Sequence, residues 1–253
     1  MYRDPTLTTR GNPFCTFDSN AFVGLIPKTE ATALTGNFAF GITDSLEAFA
    51  DVLYSRNIVT QRFQPSPLRR SFMITDAQFA VQGVEPALII RPTNPNYALA
   101  AAYLTAQGGA AAALVGQPLA VTARVFDFGD RTQEDTSTQS RLSLGLRGSF
   151  AGQEWEVAAT QNSNKLAGTV PDGYFSQVAF ARVVNSPTSD YNPWSLTQSA
   201  AFNTALAASG AKYTGSSLDA KSDSTSVDAR VTGDLLTLPA GALQYAAGVQ
   251  ARQ

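Results

Sequence analysis

Apolar and polar residues alternate with a period of two in three stretches of the chain, each laid out as a strand, a short turn and a returning strand. The first spans residues 31–57. Leu34, Phe38, Phe40 and Ile42 share one face, with Ala33, Thr35, Asn37 and Ala39 on the other. After the turn Thr43-Asp44-Ser45, Leu46, Ala48, Ala50, Val52 and Tyr54 alternate with Glu47, Phe49, Asp51, Leu53 and Ser55. The second spans 138–163 and has the cleanest pattern. Leu142, Leu144, Leu146 and Phe150 oppose Arg141, Ser143, Arg147 and Ser149. Beyond Ala151-Gly152-Gln153, Trp155, Val157 and Ala159 oppose Glu154, Glu156, Ala158 and Thr160. The third spans 224–253. Val227, Ala229, Val231 and Leu235 lead to a turn over 236–241, then Leu243, Tyr245, Ala247 and Val249 return.

Two long connections, 58–118 and 164–223, separate these hairpins. Asn96 is placed to cap a short helix over 97–106 that Gly108-Gly109 stops, and 198–208 reads as another, stopped by Gly210. Val121 to Phe128 alternates again. It reads either as a hairpin arm or as an early start to the second hairpin.

Short turns within hairpins and very long connections between them are the habit of outer-membrane barrels, whereas compact soluble domains seldom carry long structureless loops. The charges follow the same division. Glu47, Asp51, Arg141, Arg147, Glu154, Glu156, Asp228, Arg230 and Asp234 lie on the polar faces, and the apolar faces carry none through the same spans. Arms of about 10 residues suit a tilted strand that crosses a bilayer. Phe40, Tyr54, Phe150, Trp155 and Tyr245, near strand ends, suit interfacial aromatic girdles. The expected fold is therefore all-β: antiparallel transmembrane barrel strands, a partial open barrel of about six to eight strands, with long extracellular loops that contain short helices. The alternative is a soluble secreted or periplasmic β-sandwich acting as a binding or adhesion module, in which the same apolar faces would meet in one dry core.

Composition narrows the function. Among 253 residues, 18 are basic and 20 acidic, and charged residues make up 15 % of the chain. Such a balance provides no electrostatic footprint for nucleic acid. The chain has no histidine, which removes the commonest general base and metal ligand, and its single cysteine, Cys15, can form no internal disulfide. No stretch approaches the roughly 20 apolar residues of a membrane helix, which leaves a strand-built membrane protein open. The first residues do not have the pattern of a signal peptide.

The blocks Leu25-Ile26-Pro27-Lys28-Thr29-Glu30, Gly36-Asn37-Phe38 and Ile42-Thr43-Asp44-Ser45-Leu46-Glu47-Ala48-Phe49-Ala50 resemble the early barrel hairpin of TonB-dependent receptors of Proteobacteria. Tyr54-Ser55-Arg56-Asn57 and Phe126-Asp127-Phe128-Gly129-Asp130-Arg131 continue the likeness. Leu144-Gly145-Leu146-Arg147-Gly148 with Trp155-Glu156-Val157-Ala158 is similar to the next hairpin, and Leu238-Pro239-Ala240-Gly241 with Ala246-Ala247-Gly248-Val249 and Arg252 to the one after. The resemblance implies a barrel of about 22 strands around a plug domain in the Gram-negative outer membrane. It implies import of a scarce nutrient such as an iron chelate (a siderophore), driven through the TonB protein. Residues 1–253 are then expected to be an internal barrel fragment of one such receptor, without plug or TonB-binding segment.

Chemistry is sparse in this pattern, and no enzymatic activity, cofactor or metal is expected. Glu154 and Glu156 lie on one side of a strand, roughly 6.5–7 Å apart, a spacing that a glycosidase pair could use and two solvated carboxylates would equally show. Serine catalysis has no histidine partner here. Binding residues tend to sit on loops held by a rigid scaffold. Tyr174, Phe175, Tyr191 and Trp194 are thus candidates for ligand contact or for packing of the loops on themselves. Arg69 and Arg70 are a basic pair that could meet an anionic chelate or lipopolysaccharide.

Overall fold

The computed structural model describes residues 2–9, 12–16, 20–68, 83 and 87–253. The protein is all-β, and its sheets are mostly antiparallel. The chain divides into two compact units, Met1–Pro27, Gln61–Gln133 and Val170–Gly215 in the first, and Lys28–Thr60, Glu134–Thr169 and Ser216–Gln253 in the second.

The second unit is built on one six-stranded open sheet. Its strands are β3 (Lys28–Thr43), β4 (Leu46–Phe63), β9 (Arg131–Phe150), β10 (Gln153–Phe175), β11 (Lys212–Leu238) and β12 (Gly241–Arg252). They lie in the order β12-β11-β10-β9-β4-β3, an up-and-down meander with β3 and β12 at its edges. The arms run from 12 to 27 residues and exceed the expected length of about 10. The added lengths, such as Arg131–Gln139 and Lys212–Thr225, are rich in Ser, Thr, Gln, Asp and Lys and show no apolar alternation. Ladder pairing extends them where burial does not.

Turn chemistry fixes the registers. Asp44-Ser45 joins β3 to β4, and Phe38 sits opposite Ala50, Phe40 opposite Ala48, and Asn37 opposite Asp51. Ala151 (φ 51°) and Gly152 (φ 77°) join β9 to β10. Two consecutive positive φ values mark the type I′ turn, whose twist matches that of the strands. Pro239-Ala240 joins β11 to β12, with Ala229 opposite Val249 and Val231 opposite Ala247. One extra residue bulges out of each outer hairpin, Ile42 between Gly41 and Thr43 and Leu235 between Asp234 and Leu236. Leu236, rather than Leu235, therefore pairs with Leu243 and continues the apolar row of β11.

Among the described residues, the first unit holds the remaining elements: β1 (Tyr2–Thr9), β2 (Asn12–Thr16), β5 (Ser66–Leu68), β6 (Leu88–Ile90), helices α1 (Tyr97–Gln107) and α2 (Gly109–Ala112), β7 (Leu119–Val121), β8 (Ala123–Val125), and helices α3 (Gln177–Val184) and α4 (Ala200–Ala208). Three two-stranded antiparallel pairs form, β1 with β2, β5 with β8 and β6 with β7. The connections expected over 58–118 and 164–223 are thus shorter and more structured than their composition suggests. Strands claim both ends of 164–223, and helix α3 lies within it. Val121–Phe128 contributes the end of β7 and all of β8, which pair with β6 and β5 as hairpin-like arms.

The core of the first unit is aromatic. Phe180, fully buried on α3, meets Phe128, Phe175, Tyr191 and Phe202 with ring centroids 5.3–6.5 Å away. Phe128 and Phe175 stack at 4.3 Å. Leu68, Leu88, Ile90, Val125, Val178, Val184 and Leu206 complete it. Both buried helices begin on a serine cap: Ser176 Oγ accepts from the Ala179 amide at 3.3 Å, and Ser199 Oγ from the Phe202 amide at 2.9 Å. Gly173 is required where β10 enters this unit. Its φ is 79°, and a Cβ there would lie 2.3 Å from Arg131 Cα.

Candidate functional surfaces

The two faces of the six-stranded sheet differ in chemistry. On one, Leu34, Phe38 and Phe40 of β3, Leu142, Leu144 and Leu146 of β9, Val157 of β10, Val227 of β11 and Val249 of β12 all point outward and uncovered. Phe38 is 65 % exposed, Leu144 52 % and Val249 71 %. A single exposed leucine is ordinary on a protein, but an apolar row shared by neighbouring strands is not.

The other face pairs several of its charges across adjacent strands. Arg147 Nε donates to Glu47 Oε1 at 2.7 Å, and its guanidinium lies 5.4 Å from the Phe49 ring centroid. The Phe49 ring occupies the space over Gly145, where a Cβ would come within 2.3 Å of it. Arg230 Nη2 donates to Glu156 Oε2 at 2.8 Å, Asn37 Nδ2 to Asp51 Oδ1 at 2.6 Å, and Gln244 Nε2 to Asp234 Oδ1 at 3.0 Å. Ser143, buried although polar, shares a 2.8 Å hydroxyl bond with Thr160. A concavity of about 670 Å³ opens on this side near the turns and is lined by Glu47, Arg147, Glu154, Glu156 and Arg230. Glu154 and Glu156 do line one space, with Glu156 engaged by Arg230.

The aromatic candidates separate in the first unit. Tyr191 is 2 % exposed and Phe175 is half-buried, both within the aromatic core. Tyr174 is half-buried. Trp194 is 48 % exposed. Its loop is rigidly tied. Gln198 accepts from the Asn192 amide at 2.9 Å through Oε1 and donates to the Asn192 carbonyl at 3.0 Å through Nε2. Asn192 Oδ1 accepts from the Trp194 amide at 3.0 Å. Behind it, buried Asn94 donates to the Tyr191 carbonyl at 3.0 Å, and Asn96 to the Asp190 carbonyl at 2.8 Å. The helix-capping role expected of Asn96 is therefore replaced by this tie to the loop, and its side chain caps no amide of α1. Leu196, exposed beside Trp194, was not a candidate from sequence, since a lone leucine in a polar loop gives no signal. Arg69 and Arg70 lie outside the described residues.

A groove of about 550 Å³ between α3 and α4 has Val183, Ala201, Phe202 and Ala205 as its apolar lining, with Ser186, Thr188, Ser189 and Asp190 as polar lining. Alanine at 201 and 205, the two exposed α4 positions that line it, keeps it open. Asp190 also accepts a hydrogen bond from Ser199 Oγ.

Deeper in the same unit, burial raises the Asp127 carboxyl above its ordinary value. Burial and the nearby Asp127 charge both push the Tyr191 phenol upward. Among the described residues no group of three or more His, Cys, Asp or Glu side chains is placed to hold a metal ion. Comparison of the chain with protein-family models, with curated proteins and with solved structures returned no match.

Proposed function

We propose that the chain is part of the wall and loops of a TonB-dependent receptor in the outer membrane of a Gram-negative bacterium, and that it serves the uptake of a scarce nutrient such as an iron chelate. One observation carries this reading: an antiparallel meander with one uncovered apolar face, free of charge from the short turns as far as Leu34, Tyr54 and Leu142, and one charged face on which Arg147 pairs with Glu47 and Arg230 with Glu156. In lipid, every backbone group must be paired within the sheet, with side chains apolar toward the acyl chains and polar toward the lumen. Leu142, Leu144 and Leu146 then face lipid, and Arg141 and Arg147 face the lumen. Phe40, Phe150 and Trp155, all near the short turns, would stand at one membrane interface. A plug domain and the TonB protein are the partners this reading requires in the full receptor. The tied Trp194 loop and the α3–α4 groove are the surfaces it assigns to ligand contact.

Refolding tests the reading. The chain should acquire cooperative β-structure only with detergent or lipid present. A chain that folds cooperatively as a soluble monomer without either would replace the barrel wall with the β-sandwich, in which a second layer covers Leu144 and Val227.

A further inference from the structure

The groove between α3 and α4 is formed by elements that are already fixed. Phe202 and Leu206 of α4 turn into the aromatic core. That leaves Ala201 and Ala205, one helical turn apart, to line the groove, with half-buried Val183 contributed by α3. Methyl side chains on α4 cannot fill the space. About 550 Å³ stays open, within the roughly 300–1,000 Å³ usual for small-molecule sites.

Asp190 also lines this space, and it is held from two sides. Its backbone carbonyl accepts from Asn96 Nδ2 at 2.8 Å, and its carboxylate oxygen Oδ2 accepts from Ser199 Oγ, the cap of α4. The second carboxylate oxygen, Oδ1, has no partner among the described residues. Elsewhere in the same unit Asp130 holds Arg62 and Asp172 holds Lys212. Among the described residues no arginine or lysine lines the groove beside Asp190. The rest of its polar lining is neutral, and Ser186 and Thr188 share a hydroxyl bond of 3.2 Å. An apolar wall thus adjoins one oriented negative charge without a cation, and a carboxylate fixed in this way favours a charged N–H donor.

We propose that this groove binds a small organic ammonium ion. Its apolar body lies against Val183, Ala201, Phe202 and Ala205, and its N–H donates to Asp190 Oδ1. The proposal rests on the reading above only in taking the groove as a ligand contact. It narrows the ligand there from a scarce nutrient to a cation. An anionic iron chelate would bring like charge to Asp190 and is disfavoured at this site.

Equilibrium dialysis of the full chain in micelles of an uncharged detergent, with protein-free micelles subtracted, tests this. The probes are phenethylammonium, phenethyl alcohol and hydrocinnamate, which share one body and differ in charge. Phenethylammonium should bind saturably at one site per chain. The alcohol and hydrocinnamate should bind roughly ten-fold or more weakly, the worth of one charge-assisted hydrogen bond. Asp190→Asn, which keeps an oxygen for Ser199, should lower phenethylammonium affinity by the same factor and leave the alcohol unchanged. Ala205→Leu should remove binding of the ammonium while the thermal midpoint stays in place. Equal affinity for the three probes, undiminished ammonium binding by either variant, or no saturable ammonium binding would overturn the proposal. A chain that folds only with detergent and refuses phenethylammonium keeps the barrel wall and loses this ligand. A soluble monomer that binds it without detergent keeps the ligand and loses the barrel wall.

Discussion

The guanidinium of Arg147 lies 5.4 Å from the centroid of the Phe49 ring while its Nε bonds Glu47, so one side chain makes a cation–π contact and an ion pair together. Both partners come from β4, two residues apart on the polar face, and the ring fills the space that Gly145 leaves on β9. The group therefore aligns β4 and β9 by shape as well as by charge.

Two substitutions separate those contributions. Arg147→Ala should cost about 1 kcal/mol, because both charges are partly exposed and such pairs are weak in water, with a cation–π increment of similar size. Added salt should shrink the effect. Gly145→Ala should cost more, about 1–3 kcal/mol, because a Cβ there meets the Phe49 ring at 2.3 Å and the Val157 carbonyl oxygen at 2.7 Å. Denaturant titration of the refolded chain measures both; the part of the Gly145→Ala cost that disappears in the Phe49→Ala background belongs to the ring, and the part that stays belongs to the Val157 carbonyl.

In the first unit, Phe180→Ala should destabilise by about 3–5 kcal/mol, since it empties the centre of the aromatic core. Trp194→Ala should change stability by less than about 0.5 kcal/mol, as expected for a surface position. Urea unfolding followed by far-ultraviolet circular dichroism would show the contrast. A Trp194→Ala cost as large as that of Phe180→Ala would place the indole in the packing and not on the surface.

Gly173→Ala should cost about 1–3 kcal/mol through its left-handed backbone alone, and more through collision with Arg131. Thermal unfolding should show a lowered midpoint. Gly241→Ala, where nothing lies within 4 Å, should show a smaller decrease.

Asp127 gives the first unit a pH dependence. Its raised pKa means that the folded chain holds this proton more tightly than the unfolded chain. The resulting stabilisation is complete below the ordinary value of 3.8 and is lost as pH rises through the folded value. Asp127→Asn should therefore be the more stable protein at pH 7, and its advantage should shrink on acidification. Stability curves of the two proteins between pH 3 and pH 7 check this, and a gap that widens toward acid would contradict it.

The face assignment of the sheet was legible from sequence because Leu142, Leu144 and Leu146 alternate with Arg141, Ser143 and Arg147 without interruption. The full strand lengths were not. Arg131–Gln139 and Lys212–Thr225 are held by ladder bonds and polar cross-strand contacts, which leave no hydrophobic period to read. The bulge at Leu235 was likewise invisible, since one extra residue changes the register without changing composition. Helix α4 and its Gly210 stop could be read. Helix α3 was missed because Val178, Val183 and Val184 favour strands, although Ser176 supplied a cap signal. Of the aromatic candidates, sequence could not separate Tyr191 from Trp194. They sit three residues apart in one polar loop, and only the hydrogen bonds from Asn94 and Gln198 determine which side chain turns inward.

The most direct test of the barrel wall is a nitroxide scan along β9 of the chain reconstituted in lipid vesicles, with labels on single cysteines in a Cys15→Ser background. Labels at Leu142, Leu144 and Leu146 should be relaxed by oxygen, which concentrates in the bilayer, and those at Arg141 and Ser149 by a polar nickel chelate. A period-two alternation between the two relaxing agents is the expected result. Labels at 142, 144 and 146 that neither agent reaches, in a chain that stays soluble without lipid, would contradict it.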